Sequence, residues 1–270
     1  MSATIPIAIG LIGLGRMGRP MARHFAAAGH RVLGYDNDRA ALAAAAVEPR
    51  ESPRAVAAAD LTLVLVPDDE AVMQVATGSK GLFSAPGNGA VVAVCSSVRP
   101  DTLQALAAPA AAAGFELLDL PLTKGVEAAE DGTMTLLAGG KAETVERLRP
   151  ALSAVASAIH HVGPLGAGQI AKTVNNLLLW STLVAAAEAL GLGARLGVEP
   201  AALRRALKDC SADSWVLRRL DRIQPTWPAK DMRVALAIAE EAGLALPLMQ
   251  TAAAEVGHYD RSALDRLLQP

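Results

Sequence analysis

The segment that most restricts the fold is the passage from Ile7 to Asp36. An apolar run, Ile7 to Ile12, enters Gly13-Leu14-Gly15-Arg16-Met17-Gly18 directly. Pro20 follows, then a short helical stretch, Met21 to Ala28, closed by Gly29. Arg31 to Tyr35 is again apolar and ends at Asp36. A short apolar run bounded by glycine reads as a strand buried on both faces. The order strand, glycine turn, helix, strand and acid is that of a dinucleotide-binding βαβ unit. Each glycine has its own reason. Gly13 permits the tight turn, Gly15 lets backbone N–H groups approach a pyrophosphate, and Gly18 lets the helix pack on the strand with its N-terminus facing the anion. Leu14, Arg16 and Met17 lie in that loop and are counted with it. Asp36 is placed to accept hydrogen bonds from ribose hydroxyls and to repel a 2′-phosphate, which favours NAD over NADP. Arg31 and Arg39 are the cations near enough in sequence to argue the other way.

The pattern continues. Leu61 to Val66 and Ala90 to Val94 read as further buried strands, ending in Pro67-Asp68-Asp69-Glu70 and Cys95-Ser96-Ser97. In a doubly wound sheet the ligand lies at the carboxyl ends of the strands, so Val66, Pro67, Ser96 and Ser97 are candidates to line the cleft. The acids after Pro67 are better read as complements to a helix dipole. Phe115 to Asp119 is the next strand, followed by Leu120-Pro121-Leu122-Thr123-Lys124-Gly125 and a strand within Gly132 to Gly140. A helix over 142–155 and a short strand at His161-Val162 complete a first domain of residues 1–163. Adjacent strand histidines, His160 and His161, point to opposite faces and lack a third ligand, so no metal site is expected.

Gly166-Ala-Gly-Gln-Ile-Ala-Lys172-Thr-Val-Asn175-Asn176 opens a long helix that turns apolar from Leu177 to Ala187. Lys172 and Asn176 are four residues apart and share a face. At the mouth of a helix expected to be buried, they can address one small polar molecule in a cleft. Residues 164–270 form the second, helical domain. It contains helices at 200–208 and 212–223, the latter with Ser211 as a cap candidate. The rigid Pro225-Thr-Trp-Pro228 loop delivers Lys230 to the next helix, and 261–268 reads as a marginal tail. Trp215 and Trp227 read as core or subunit packing.

At 270 residues the chain suits two domains, and a formal charge of −2 without basic clusters disfavours nucleic acid. Cys95 and Cys210 read as two buried thiols of a reduced, cytoplasmic protein. No uninterrupted apolar run reaches the ~18 residues of a membrane span. The apolar helical domain would expose much surface alone, so a homodimer or homotetramer is expected.

Four motifs in order make the chain resemble the β-hydroxyacid dehydrogenase family, which includes 3-hydroxyisobutyrate dehydrogenases, tartronate semialdehyde reductases and 6-phosphogluconate dehydrogenases. They are Gly13 to Met21, Asp119 to Gly125 continuing to Gly132 to Gly140, Gly166 to Asn176, and Lys230-Asp231-Met232. The resemblance implies an α/β Rossmann-type doubly wound domain and an all-α C-terminal domain joined by a long helix. It implies Lys172 as catalytic base or acid and Asn176 as substrate-orienting. It also makes the Thr123-Lys124-Gly125 turn the substrate-carboxylate loop, and Lys230 a cation closing over substrate and nicotinamide. The implied reaction moves hydride between NAD(P) and a small anionic β-hydroxy acid, or reduces the semialdehyde. The weighed alternatives are a dinucleotide sensor without turnover and an imine reductase-like enzyme. Where the family usually has Ser-Gly-Gly, this chain has Thr123-Lys124-Gly125. Lys124 is therefore either a selector of a second anionic group or a surface lysine paired with Glu127 or Glu130.

Overall fold

A computed structural model describes residues 5–268. Strands and helices alternate through β1 (Ala8–Ile12), α1 (Gly18–Ala27), β2 (Arg31–Tyr35), α2 (Arg39–Ala43), β3 (Glu48–Pro49), α3 (Pro53–Val56), β4 (Leu61–Val64), α4 (Asp69–Thr77), β5 (Val91–Val94), α5 (Pro100–Ala112) and β6 (Glu116–Asp119). Then come β7 (Leu122–Thr123), α6 (Gly125–Glu130), β8 (Met134–Gly139), α7 (Ala142–Leu152) and β9 (Ala156–Gly163). The sheet runs β3-β2-β1-β4-β5-β6-β8-β7, with β9 paired to β8. Its first six strands are parallel. The chain order reverses beside β1, which sets the ligand crevice at the carboxyl ends of β1 and β4.

Strand side chains alternate between the two faces of the sheet, and helices cover both. Ile9, Leu11, Leu61, Leu63 and Ala93 pack with Met21 and Phe25 of α1 on one face. Ile12, Val64, Val92 and Val94 pack with Val72, Leu103 and Leu106 on the other. Burial on both faces is why these strands are continuous apolar runs in the sequence.

Three readings of this half change. The strand expected at His161-Val162 is eight residues long, because β8 offers a parallel partner along most of its length. Its two histidines are both exposed, and His161 Nε2 lies 2.8 Å from the Gly140 carbonyl oxygen. The helix expected to Val155 stops at Leu152, where a turn closed by the Val155 N–H on the Leu152 carbonyl leads into β9.

The chain divides into two compact units between Lys172 and Thr173. α8 (Ala167–Arg195) begins in the first unit and from Thr173 supplies the second unit's first element, and α9 (Pro200–Leu207), α10 (Trp215–Arg219), α11 (Pro228–Glu241), α12 (Pro247–Glu255) and α13 (Arg261–Leu268) follow. Leu183, Leu190, Leu220, Met232, Val256 and Leu264 form its core. α10 is shorter than 212–223, and its cap is Ser214, whose Oγ accepts the Leu217 N–H at 3.1 Å; Ser211 plays no such part. The tail is docked: Leu264 is fully buried, and Arg261 donates to the Leu220 and Ile223 carbonyls. Cys95 is buried but Cys210 is exposed, against the expectation of two buried thiols.

α8 is also less buried than its composition implies. Val174, Leu178 and Leu192 are exposed, and only 28% of its most apolar 18-residue window is buried. By length and composition alone, this helix is long and apolar enough to cross a membrane.

At the far edge of the sheet, Arg31 and Arg50 both donate to Glu48, and the Arg31 pair ties β2 to β3. Hydrogen bonds from Arg31 and then Arg50 pull the Glu48 carboxyl down to about 2. A depressed carboxyl contributes stability that is complete above its ordinary value and lost as pH falls through the depressed one. The expected outcome is a loss of stability between about pH 4.5 and about pH 2 that Glu48→Gln lacks and that high salt weakens, read from denaturation midpoints across pH.

Candidate active site

The loop after β1 is built for an anion. Gly13 has φ +97°, and a Cβ there would sit 2.4 Å from the Leu65 carbonyl oxygen. A Cβ on Gly18 would meet the Gly13 carbonyl at 2.0 Å, so only glycine lets α1 start so close to β1. Gly15 faces open space. α1 has neither a side-chain cap nor an acid in its first turn. α4, in contrast, is capped by Asp68, which accepts the Ala71 N–H. The N–H groups that begin α1, around Arg16 and Met17, are thus left for a ligand.

Asp36 stands at the end of β2. Its Oδ2 accepts the Leu14 N–H at 2.6 Å and its Oδ1 accepts the Asp38 N–H at 2.8 Å. Leu14 itself is buried in the core, so its part in the loop is to hold Asp36. Of the two cations near in sequence, Arg31 is committed to Glu48 at the opposite end of β2. Arg39 opens α2. The carboxyl ends of β4 and β5 complete the cleft. The Val66 N–H donates to Ser96 Oγ at 2.9 Å, Ser96 is buried, and Pro67 and Ser97 are exposed at the rim. These residues fit a dinucleotide: glycines where backbone must approach, uncapped N–H groups for the phosphates, and an anchored carboxylate for the ribose.

Lys172 reaches the same unit's other strand ends. Its Nζ donates to the Leu122 carbonyl at 2.7 Å. The helix carrying it is anchored by Asp119, a residue that sequence reasoning quoted only as part of a motif. Asp119 is fully buried at the end of β6; Oδ1 accepts the Gly166 N–H at 2.7 Å and Oδ2 the Gln169 N–H at 2.8 Å. Burial pushes its carboxyl up, and these N–H donors pull it back. A Cβ on Gly139 would lie 2.2 Å from Oδ1 and one on Gly168 2.6 Å from Oδ2, so glycines frame the carboxylate on both sides. The available signal was an acid ending an apolar strand, with a Gly-x-Gly helix entry later in the chain.

The Thr123-Lys124-Gly125 turn follows directly from Leu122. Thr123 Oγ1 donates to the Thr135 carbonyl at 3.3 Å. Lys124 has φ +73° and Gly125 φ +74°, two left-handed residues in succession. The Lys124 position therefore has a glycine's backbone. Its exposed side chain turns to β9, with Nζ 3.5 Å from Ser157 Oγ. Glu130 is paired with Arg23 instead.

In the second unit Asn176 is buried in α8, one turn after Lys172 in the sequence of that helix, and its Oδ1 accepts from Asn175 Nδ2 at 3.1 Å. Lys230 is the third residue of α11. The start of α11 is tied to α8 by Trp180 Nε1, which donates to Asp231 Oδ2 at 3.0 Å. Trp215 and Trp227 are both substantially exposed. Among the described residues, no group of three His, Cys, Asp or Glu is placed to hold a metal.

Comparison with known proteins covers nearly the whole chain. Residues 8–163 match the NAD binding domain of 6-phosphogluconate dehydrogenase. Residues 166–265 match the NAD-binding domain of NADP-dependent 3-hydroxyisobutyrate dehydrogenase. The 3-hydroxyisobutyrate dehydrogenase of Pseudomonas aeruginosa is 33% identical over 89% of this chain and 88% of its own. The 2-hydroxy-3-oxopropionate reductase of Escherichia coli is 31% identical over 97% of each. Among solved structures, Mycobacterium tuberculosis 3-hydroxyisobutyrate dehydrogenase with L-serine has a TM-score of 0.86 at 28% identity, covering 98% of this chain and 100% of that one.

Two stability effects follow from the geometry. Asp119→Ala leaves buried N–H donors without an acceptor and is expected to cost roughly 3 kcal/mol in urea unfolding. Lys124→Gly relieves a left-handed side-chain residue and is expected to gain up to about 1 kcal/mol in the same measurement.

Proposed function

We infer, because this chain belongs to the β-hydroxyacid dehydrogenase family, that Lys172 is its proton-transfer group in the oxidation of a small β-hydroxy acid or the reverse reduction. The protein is an NAD(P)-dependent oxidoreductase acting on the CH–OH group of hydroxy acids. The observation that carries the assignment is the placement of Lys172 Nζ on the Leu122 carbonyl, one residue before the Thr123 turn.

The nicotinamide, when bound, supplies the hydride acceptor or donor. This chain's own residues do the rest. In the oxidative direction Lys172, as the free amine, takes the proton from the hydroxyl oxygen while the hydride leaves the carbon that bears that hydroxyl. The Leu122 carbonyl keeps the amino group aimed. In reduction, the ammonium returns the proton to the new alkoxide. The Thr123–Gly125 turn is the proposed seat of the substrate carboxylate. Asn176 is proposed to orient the hydroxyl, and Lys230 to sit over substrate and cofactor. These roles rest on the motif positions that the sequence shares with the family.

We propose NAD as the preferred cofactor. The anchoring of Asp36 by two N–H groups supports this reading, since a fixed carboxylate at the end of β2 would repel a 2′-phosphate, and Arg31 is already paired with Glu48. Two like charges a few ångströms apart repel by about 1 kcal/mol or more, depending on solvent screening. The substrate is proposed to carry one anionic group, since Lys124 turns toward Ser157. A second copy of the chain is proposed to cover the exposed apolar residues of the second unit, among them Leu178, Leu192, Leu244 and Leu248.

The test is reduced-nicotinamide absorbance with a panel of β-hydroxy acids and both cofactors. NAD turnover is expected to exceed NADP turnover at least tenfold in kcat/KM. Lys172→Ala is expected to lower kcat by about 10²–10⁴-fold with cofactor affinity kept. Turnover that survives Lys172→Ala would remove the base from the assignment.

A further inference from the structure

Gln169 is a polar side chain with no assigned part in the chemistry, yet it is 1% exposed. It lies in the first turn of α8, three residues before Lys172. Its amide is fully oriented by its neighbours. Oε1 accepts the Val98 N–H at 3.2 Å, and Nε2 donates to the Ser96 carbonyl at 2.8 Å. A backbone donor on one side and a backbone acceptor on the other admit only one flip of the amide. Its backbone N–H is held by Asp119 Oδ2.

These bonds form a continuous path. The Val66 N–H at the end of β4 donates to Ser96 Oγ, and the Ser96 carbonyl takes the Gln169 amide. The Gln169 and Gly166 N–H groups end on Asp119, at the end of β6. Three residues beyond Asp119, Leu122 receives the Lys172 Nζ. The loop joined to the helix by Gln169 is the one at the carboxyl ends of β4 and β5. The strand joined to it by Asp119 is the one that continues to the Thr123 turn. A buried amide is expensive unless satisfied, and this one in turn satisfies the buried Val98 N–H and Ser96 carbonyl, which an apolar residue of similar size would leave without partners. What the amide adds is a fixed distance between the first turn of α8 and the Ser96–Val98 loop.

We propose that Gln169 and Asp119 are positioning residues that hold Lys172 in register with the cofactor cleft, without touching substrate or cofactor. The proposal rests on the reading of Lys172 as the proton-transfer group. A misplacement of about 1 Å at such a group is worth on the order of 10²-fold in rate. The effect is expected to fall mainly on the chemical step: the path touches the cleft at Val66 and Ser96, while the loop of Gly13 to Gly18 and the anchor of Asp36 are not on it.

Single-turnover and steady-state kinetics on Gln169→Leu, Gln169→Glu, Lys172→Ala and the Gln169→Leu/Lys172→Ala double variant test this. Gln169→Leu is expected to lower kcat about 10–100-fold, with KM for cofactor and hydroxy acid changed less than about threefold. Gln169→Glu, as a carboxylate, keeps the acceptor for the Val98 N–H but sets an acceptor oxygen against the Ser96 carbonyl, and its kcat is expected to fall at least as far as that of Gln169→Leu. In the Lys172→Ala background, Gln169→Leu is expected to cost less than about twofold more, since residues acting as a unit are not additive. The proposal is overturned if Gln169→Leu leaves kcat unchanged, if its loss is matched by weaker cofactor binding, or if it costs the same factor with and without Lys172. Should Gln169→Leu fail to fold, an unchanged kcat in Gln169→Glu overturns it equally. Full turnover in Lys172→Ala alone marks a different failure, that of the base assignment itself.

Discussion

A carboxylate removed from water must be given donors, and Asp119 takes them from the chain segment that enters the long helix. That exchange brings the end of β6 against the first turn of α8. It also dictates neighbours. Gly139 on β8 and Gly168 on α8 have to lack a side chain, since a Cβ on either would overlap the carboxylate. The chain beyond Asp119 then runs on into β7, where the Leu122 carbonyl takes Lys172. One buried acid therefore sets the approach of sheet and helix on which the rest of the site is built.

The cofactor side follows a different logic, in which groups are left unsatisfied on purpose. Most helices of the first unit that begin near charge are capped or carry an acid, as α4 does with Asp68, Asp69 and Glu70. α1 has neither, and its Gly15 faces open space. Uncapped N–H groups remain available to an anion, whereas those that begin α4 are already answered by Asp68 and its acids. Asp36 adds the opposite sign a short distance away, and the Leu14 and Asp38 N–H groups keep it from turning aside.

Departures from the family pattern have physical content here. Lys124 stands in a left-handed conformation that a glycine would take without strain. Its side chain turns to Ser157 at the sheet edge. α8 departs from the expectation of a buried helix. One face joins the core through Leu183, Ala187 and Leu190, while Leu178 and Leu192 are exposed.

The local elements were legible because they are written at short range. Buried strands show as Leu61 to Val64 or Val91 to Val94, glycine turns as Gly13 to Gly18, and the helical entry as Gly166 to Lys172. The nucleotide-binding unit and the Lys172, Asn176 spacing needed no tertiary information, because backbone sterics and the helical repeat act over a few residues. Everything that depended on a distant partner was hidden. The full length of β9 required β8 to pair with, and the docking of α13 required the carbonyls of Leu220 and Ile223. The exposure of Cys210 and of α8 depended on which faces other helices happened to cover. Asp119 is the sharpest case: in the sequence it is an acid after an apolar run, and only the arrival of residues 47 and 50 positions later turns it into the anchor of a helix. The sequence by itself determined the elements and the chemistry they carry. The tertiary structure alone decided which buried polar groups satisfy one another, because that pairing is a property of distances through space and not along the chain.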